Sequence, residues 1–97
     1  MCSAPKQGGG LAGIDLETQT VIQGQVWHDG APVAGAYVRL LDSTDEFTAE
    51  VVTSPEGEFR FFAAPGKWKV RSLAPAGKGE RVLAAEVGLN ETTIVIE

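Results

Sequence analysis

Cysteine is nearly absent from this 97-residue chain, which has one, Cys2. A single cysteine cannot close an internal disulfide. It fits a reducing compartment, so a cytoplasmic location is expected. Histidine is as scarce, with His28 alone. A tetrahedral zinc site built on Cys2 and His28 would lack two ligands, so no metal and no cofactor is expected. Positive charge is also short: eight Lys and Arg stand against thirteen Asp and Glu, a formal net charge of −5. That balance argues against a nucleic-acid binder, which needs a basic face for phosphates, and against docking on an anionic membrane. No apolar run approaches the ~20 residues that span a bilayer. The N-terminal stretch has no apolar core and no cleavage site, so it reads as no signal peptide, and Cys2 as no lipid-anchor cysteine. Helical periodicity is missing too, because no window sustains apolar residues at i, i+3, i+4 and i+7.

What remains is turn chemistry and alternation. Twelve glycines and five prolines punctuate the chain, as an all-β protein requires. TVIQGQVWH (20–28) places Ile22, Gly24 and Val26 on one face and Val21, Gln23, Gln25 and Trp27 on the other. DGAPVAG (29–35) reads as a turn, and AYVRLL (36–41) resumes with Ala36, Val38 and Leu40 inward. A polar loop, DSTDEF (42–47), precedes a strand at 48–53. SPEGE (54–58) is a turn in which Gly57 can take a positive φ. EFRFFA (58–63) puts Phe59 and Phe61 on one face, Arg60 and Phe62 on the other. KWKVRSL (67–73) sets Trp68, Val70 and Ser72 against Lys67, Lys69, Arg71 and Leu73. Strands at 80–87 and 91–97 complete the set, after a turn at 74–79. Seven short strands with turn signals every eight to twelve residues predict an all-β fold, a seven-stranded antiparallel β-sandwich of Ig-like or prealbumin-like type. Residues 1–17, with QGGGLAG at 7–13, read as a flexible N-terminal arm, and 18–97 as the sandwich domain.

Catalytic chemistry finds little support. His28 has Asp29 beside it but no nucleophile at a defined spacing, so a triad is not expected and the chain reads as no enzyme. Asp42, Asp45 and Glu46 crowd one loop without the spaced oxygens and glycine of an EF-hand. Turn capping and solvated charge account for them. The glycine-rich stretches lack the strand, lysine and helix of a phosphate loop. Lys67, Lys69 and Arg71 form a small basic stripe that reads as one solvated face of a strand. The alternation turns Trp27, Tyr37, Leu41 and Phe62 away from the core. Such residues suit a partner surface, with another protein or as a homodimer. Cover by the N-terminal arm or by loops explains them equally well.

Cys2 has no structural duty, since a glycine-rich arm offers little burial, though chance at a tolerant terminus also explains it. Removal of Met1 would leave Cys2 with a free α-amine, and a neighbouring cation favours the thiolate that attacks sulfur.

GAYVRLLDSTDEFTAEVV and GEFRFFAAPGKWKVRSLAPAG, with the opening MCSAPKQ, closely resemble the actinobacterial SseC-like proteins. That family consists of small uncharacterised proteins associated with a rhodanese-type thiosulfate sulfurtransferase. The resemblance implies a non-enzymatic accessory role in sulfur metabolism, with the sulfurtransferase as partner and Cys2 as acceptor of sulfane sulfur. The alternative is a structural interaction module with no chemistry of its own. More distantly, GQVWHDGAPVAGAYVRL, TSPEGEFRF and APGKWKV look like carboxypeptidase regulatory-like and prealbumin-like sandwiches, in which Gly57 and Phe59 would mark a hairpin. The paired histidines and C-terminal motif of transthyretin-like hydroxyisourate hydrolases are missing, as is the early-strand lysine of self-cross-linking pilin-type domains.

Overall fold

A computed structural model describes residues 13–97. Two four-stranded sheets face each other. In the first, the long strand β1 (Thr20–His28) lies between β5 (Glu58–Ala63) and β8 (Gly88–Val95), with the short β2 (Ala31–Pro32) beside the end of β1. The second has the order β4–β3–β6–β7, from β4 (Phe47–Val52), β3 (Tyr37–Leu41), β6 (Gly66–Ala74) and β7 (Gly77–Ala85). Among the described residues no helix is long and apolar enough to cross a membrane.

Alternation sets which side chains enter the space between the sheets. Ile22, Val26, Phe59, Phe61, Ile94 and Ile96 come from the first sheet and its C-terminal extension, and Val38, Leu40, Val51 and Val70 from the second. Phe59 and Phe61, two residues apart on β5, share that side with ring centroids 6.0 Å apart. Burying a side chain of phenylalanine size contributes ~1.5–3 kcal/mol.

The sandwich is as expected, and three details depart from the reading above. Among the described residues there are eight strands, because Asp29 and Gly30 both take positive φ, 51° and 80°, and close a two-residue hairpin. Asp-Gly is the signature of that turn, and it pairs His28 with Ala31 and Trp27 with Pro32. Proline is tolerated there because β2 is an edge strand. The second departure is direction: β1 pairs with β8 in parallel, Thr20 with Gly88 through Trp27 with Val95. All the other strands intervene between these two, so no hairpin constrains their sense. Third, the turn expected at 74–79 contracts to Pro75 and Ala76, and β7 begins at Gly77.

Gly57 takes the expected positive φ, 76°. Its carbonyl accepts the Val26 N–H at 2.9 Å, which ties the β4–β5 turn to β1. A second tie runs through buried Thr53. Its Oγ1 accepts the Ala36 N–H at 2.9 Å and donates to the Val33 carbonyl at 2.7 Å. Thr53→Val keeps the shape and orphans both groups. It is expected to cost roughly 1–3 kcal/mol, read as a lower urea midpoint at unchanged slope.

At the other end of the described chain, Thr18 and Gln19 both donate to the Asp15 carbonyl, a turn that feeds β1. Ile14 and Leu16 beside it are half-buried.

Candidate functional site

The outer face of the second sheet carries the strongest concentration of recognition chemistry. Cross-strand register assembles it from residues far apart in sequence. One row runs Val52, Tyr37, Leu73, Lys78 across β4, β3, β6 and β7. Its three apolar members are exposed by 47%, 53% and 56%. The next row runs Glu50, Arg39, Arg71, Glu80. A groove of about 290 Å³ lies where the two rows meet, lined by Tyr37, Arg39, Glu50, Arg71, Leu73 and Lys78. The third row brings Phe47, Leu41, Lys69 and Val82 together.

Electrostatics follow from the register. Arg39 and Arg71 are direct cross-strand partners, a like-charge pair that is unfavourable by itself. Each leans on a carboxylate of its outer neighbour. The Arg39 Nε lies 2.7 Å from Glu50 Oε2, and an Arg71 terminal nitrogen 3.6 Å from Glu80 Oε1. The Arg39 guanidinium also sits 5.9 Å from the centre of the Phe47 ring. Lys69 Nζ is 2.9 Å from Asp45 and 3.5 Å from Glu80, and Asp45 first of all raises its pKa. Arg39, Lys67, Lys69, Arg71 and Lys78 place five of the chain's eight cationic side chains on this face, while its strands carry only Glu50 and Glu80. An acidic protein has gathered its positive charge on one sheet face.

The four residues expected as a partner surface do not form one patch. Tyr37 stands on the face just described. Phe62, 44% exposed, and Trp27, half-buried, lie on the outer face of the other sheet, six strand positions apart in register. The Trp27 Nε1–H donates to Gln25 Oε1. Beside Phe62, Val21 and Arg60 share that outer face and are buried, so no exposed apolar strip joins Phe62 to Trp27. Leu41 does point away from the inter-sheet core, but it is only 5% exposed, between Phe47 and Lys69 at the irregularity where β3 meets β4. It is covered and unavailable to a partner. Cys2, the expected sulfur acceptor, lies outside the described residues.

Other chemistry is accounted for locally. The His28 Nδ1 is 2.9 Å from the Ile96 carbonyl, which ties β1 to the end of the chain. Asp42 Oδ1 accepts the Thr44 hydroxyl at 2.6 Å and the N–H groups of Thr44 and Glu46 at 2.8 and 3.0 Å. It caps its own loop, and these bonds, the Thr44 hydroxyl first, hold its pKa below the ordinary 3.8. A carboxylate so depressed stabilises the fold above its unfolded pKa, and the contribution is lost as pH falls through the folded value. The stability difference between wild type and Asp42→Asn is therefore expected to be flat at neutral pH and to shrink below about pH 4, measured by thermal melts across that range. A second groove, about 240 Å³, lies over Gly24 on the outer face of the first sheet. Its Gln23, Gln25, Glu58, Arg60, Glu91 and Thr93 present no apolar anchor.

Sequence reading found Tyr37 and the stripe Lys67, Lys69, Arg71. It missed Arg39, Leu73, Val52 and Lys78 as members of one surface. The signal available was their outward parity, and only strand order joins them.

Residues 2–96 match the family described as "Protein of unknown function (DUF1416)". Two uncharacterised Mycobacterium tuberculosis proteins, Rv0814c and Rv3118, are each 57% identical over 99 residues, covering 99% of both chains. An uncharacterised Mycolicibacterium smegmatis protein is 54% identical over 87 residues, 88% of this chain and 97% of its own. Among solved structures, a DUF3823 family protein from Parabacteroides merdae superposes with a TM-score of 0.66 at 12% identity, over 81% of this chain. The chain spans 46% of that protein, and the likeness is one of fold.

Proposed function

We propose, from the premise that this chain belongs to the DUF1416 family, that it is a non-enzymatic docking module whose working surface is the outer face of the β4–β3–β6–β7 sheet. One observation carries the reading. Tyr37, Leu73 and Val52 form a continuous exposed apolar row beside an arginine-lined groove. Aromatic and arginine side chains on a rigid sheet are what protein interfaces enrich. His28, the chain's single histidine, is engaged with the Ile96 carbonyl, and no nucleophile stands beside it at a defined spacing, which fits a role without acid–base chemistry.

A finer reading names the partner. The SseC-like resemblance suggests a rhodanese-type thiosulfate sulfurtransferase, with Cys2 taking sulfane sulfur from it. In the step, the Cys2 thiolate attacks the outer sulfur of the enzyme's persulfide. A new S–S bond forms at Cys2, the donor S–S bond breaks, and the donor cysteine leaves as a thiolate. One neutral sulfur atom moves and no external oxidant is consumed.

Two measurements test these readings. Calorimetric titration of the purified sulfurtransferase is expected to show binding to wild type, lost in Tyr37→Ala/Leu73→Ser. Unchanged binding by that variant removes the docking face. Intact mass after incubation with enzyme and thiosulfate is expected to show a gain of about 32 Da, one sulfur atom, on Cys2. No gain, or the same gain in Cys2→Ser, removes the sulfur-accepting role and leaves docking intact.

A further inference from the structure

We infer that the groove between Arg39 and Arg71 receives a carboxylate from an extended acidic segment of the partner protein, with a neighbouring apolar side chain of that segment on the Tyr37–Leu73 row. The inference rests on the docking reading above and deepens it by naming the partner's chemistry.

Charge arrangement is the first argument. The middle row reads negative, positive, positive, negative across four strands. Both arginines are drawn outward, Arg39 to Glu50 on β4 and Arg71 to Glu80 on β7. The space between them faces two guanidinium groups, with Lys78 on the same groove. Glu50, on the wall of the same groove, pairs with Arg39, and Glu80 with Arg71, each from the outer strand; an incoming carboxylate between the two guanidinium groups relieves the remaining cross-strand repulsion. Arginine's planar fork suits such a partner.

Dimensions are the second argument. Adjacent strands lie about 4.8 Å apart, and alternate residues of one strand about 6.8 Å apart. The arginine row and the Tyr37–Leu73 row are two residues apart on β3 and β6 alike. An extended segment laid along the strands presents its residues i and i+2 at the same repeat. An acidic side chain then meets the arginines when an apolar one two positions away meets Tyr37 and Leu73. A small free anion would satisfy the charge and leave the apolar row unused.

A second copy of this chain fits less well. Packing two such faces together about a two-fold axis opposes like potentials, because each face carries the same excess of cations. The chain's overall charge of −5 adds repulsion between copies.

The test uses fluorescence polarisation with a labelled extended peptide in which every second residue is in turn glutamate and leucine or phenylalanine, with threonine between them (Glu-Thr-Leu-Thr-Glu-Thr-Phe-Thr), and the same peptide with glutamine for glutamate. The glutamate peptide is expected to bind at least about tenfold more tightly, and to weaken as salt rises. Arg39→Gln/Arg71→Gln should remove that preference, with its far-UV spectrum unchanged because both side chains are on the outer face. Leu73→Ser should weaken both peptides. Equal affinity for the two peptides, or a preference that survives loss of both arginines, overturns the inference. So does competition by free glutamate at the peptide's own concentration, which would make the groove a small-anion site. If those outcomes occur while sulfurtransferase binding still needs Tyr37 and Leu73, docking stands and the acidic segment falls. If Leu73→Ser leaves the glutamate peptide unaffected, the segment does not use the apolar row and the inference is overturned, while the docking face is decided by sulfurtransferase binding.

Discussion

Gly24→Ala is expected to be the most damaging single-methyl addition in this protein. Gly24 occupies the middle of β1, between Phe59 on β5 and Thr92 on β8. An alanine Cβ there would stand 1.7 Å from the Thr92 carbonyl oxygen, 2.8 Å from its carbon and 3.1 Å from the Phe59 ring. A ring can turn aside, but the Thr92 oxygen is backbone within the β1–β8 ladder. Relief requires moving β8 away from the central strand. Ordinary overpacking costs about 1–3 kcal/mol, and a backbone obstacle puts this substitution at or above the top of that range. The entropy gained by replacing glycine, about 0.4–1 kcal/mol, is too small to offset it. For a domain of this length the melting point should fall by roughly 15 °C or more. Phe59→Leu in the same chain should give no rescue, since the nearer obstacle is unchanged. A Gly24→Ala protein that melts like wild type would mean that β8 does not pair with β1 as described.

Phe59→Ala is the second large effect, by the opposite mechanism. Phe59 is 1% exposed and packs against Phe61 in the space between the sheets. Truncation removes the ring and leaves a cavity that two rigid sheets cannot close. The expected cost is about 3–5 kcal/mol, visible as a lower denaturant midpoint. Phe62→Ala, three residues along the same strand, is the control. Its ring is on the outer face and 44% exposed, so the loss should stay near 1 kcal/mol. Equal damage from the two substitutions would contradict the assignment of faces on β5.

Local chemistry accounts for what could be read in advance. Period-two alternation is a property of consecutive residues, so it revealed that Ile22, Val26, Phe59, Phe61 and Val70 face inward. Asp29-Gly30 and Gly57 marked turns because positive φ favours few residue types. Asp42 was legible as a capping residue for the same local reason. Sequence therefore determined the all-β class, the inward parity of these residues and the turns at Asp29-Gly30 and Gly57.

Tertiary structure decided the rest, because strand order and direction leave no trace in alternation. A strand reads the same whether its neighbour is parallel or antiparallel, so the β1–β8 pairing was invisible. The split of Tyr37 from Phe62 and Trp27 was invisible too, since outward parity does not say outward from which sheet. Leu41 points outward and is still buried, because burial depends on what a neighbouring strand and loop lay over it. Arg39 and Arg71 are 32 positions apart, and Val52 and Lys78 come from opposite edges of their sheet. Only hydrogen-bonded register brings these side chains within reach of one ligand, and register is a property of pairs of strands.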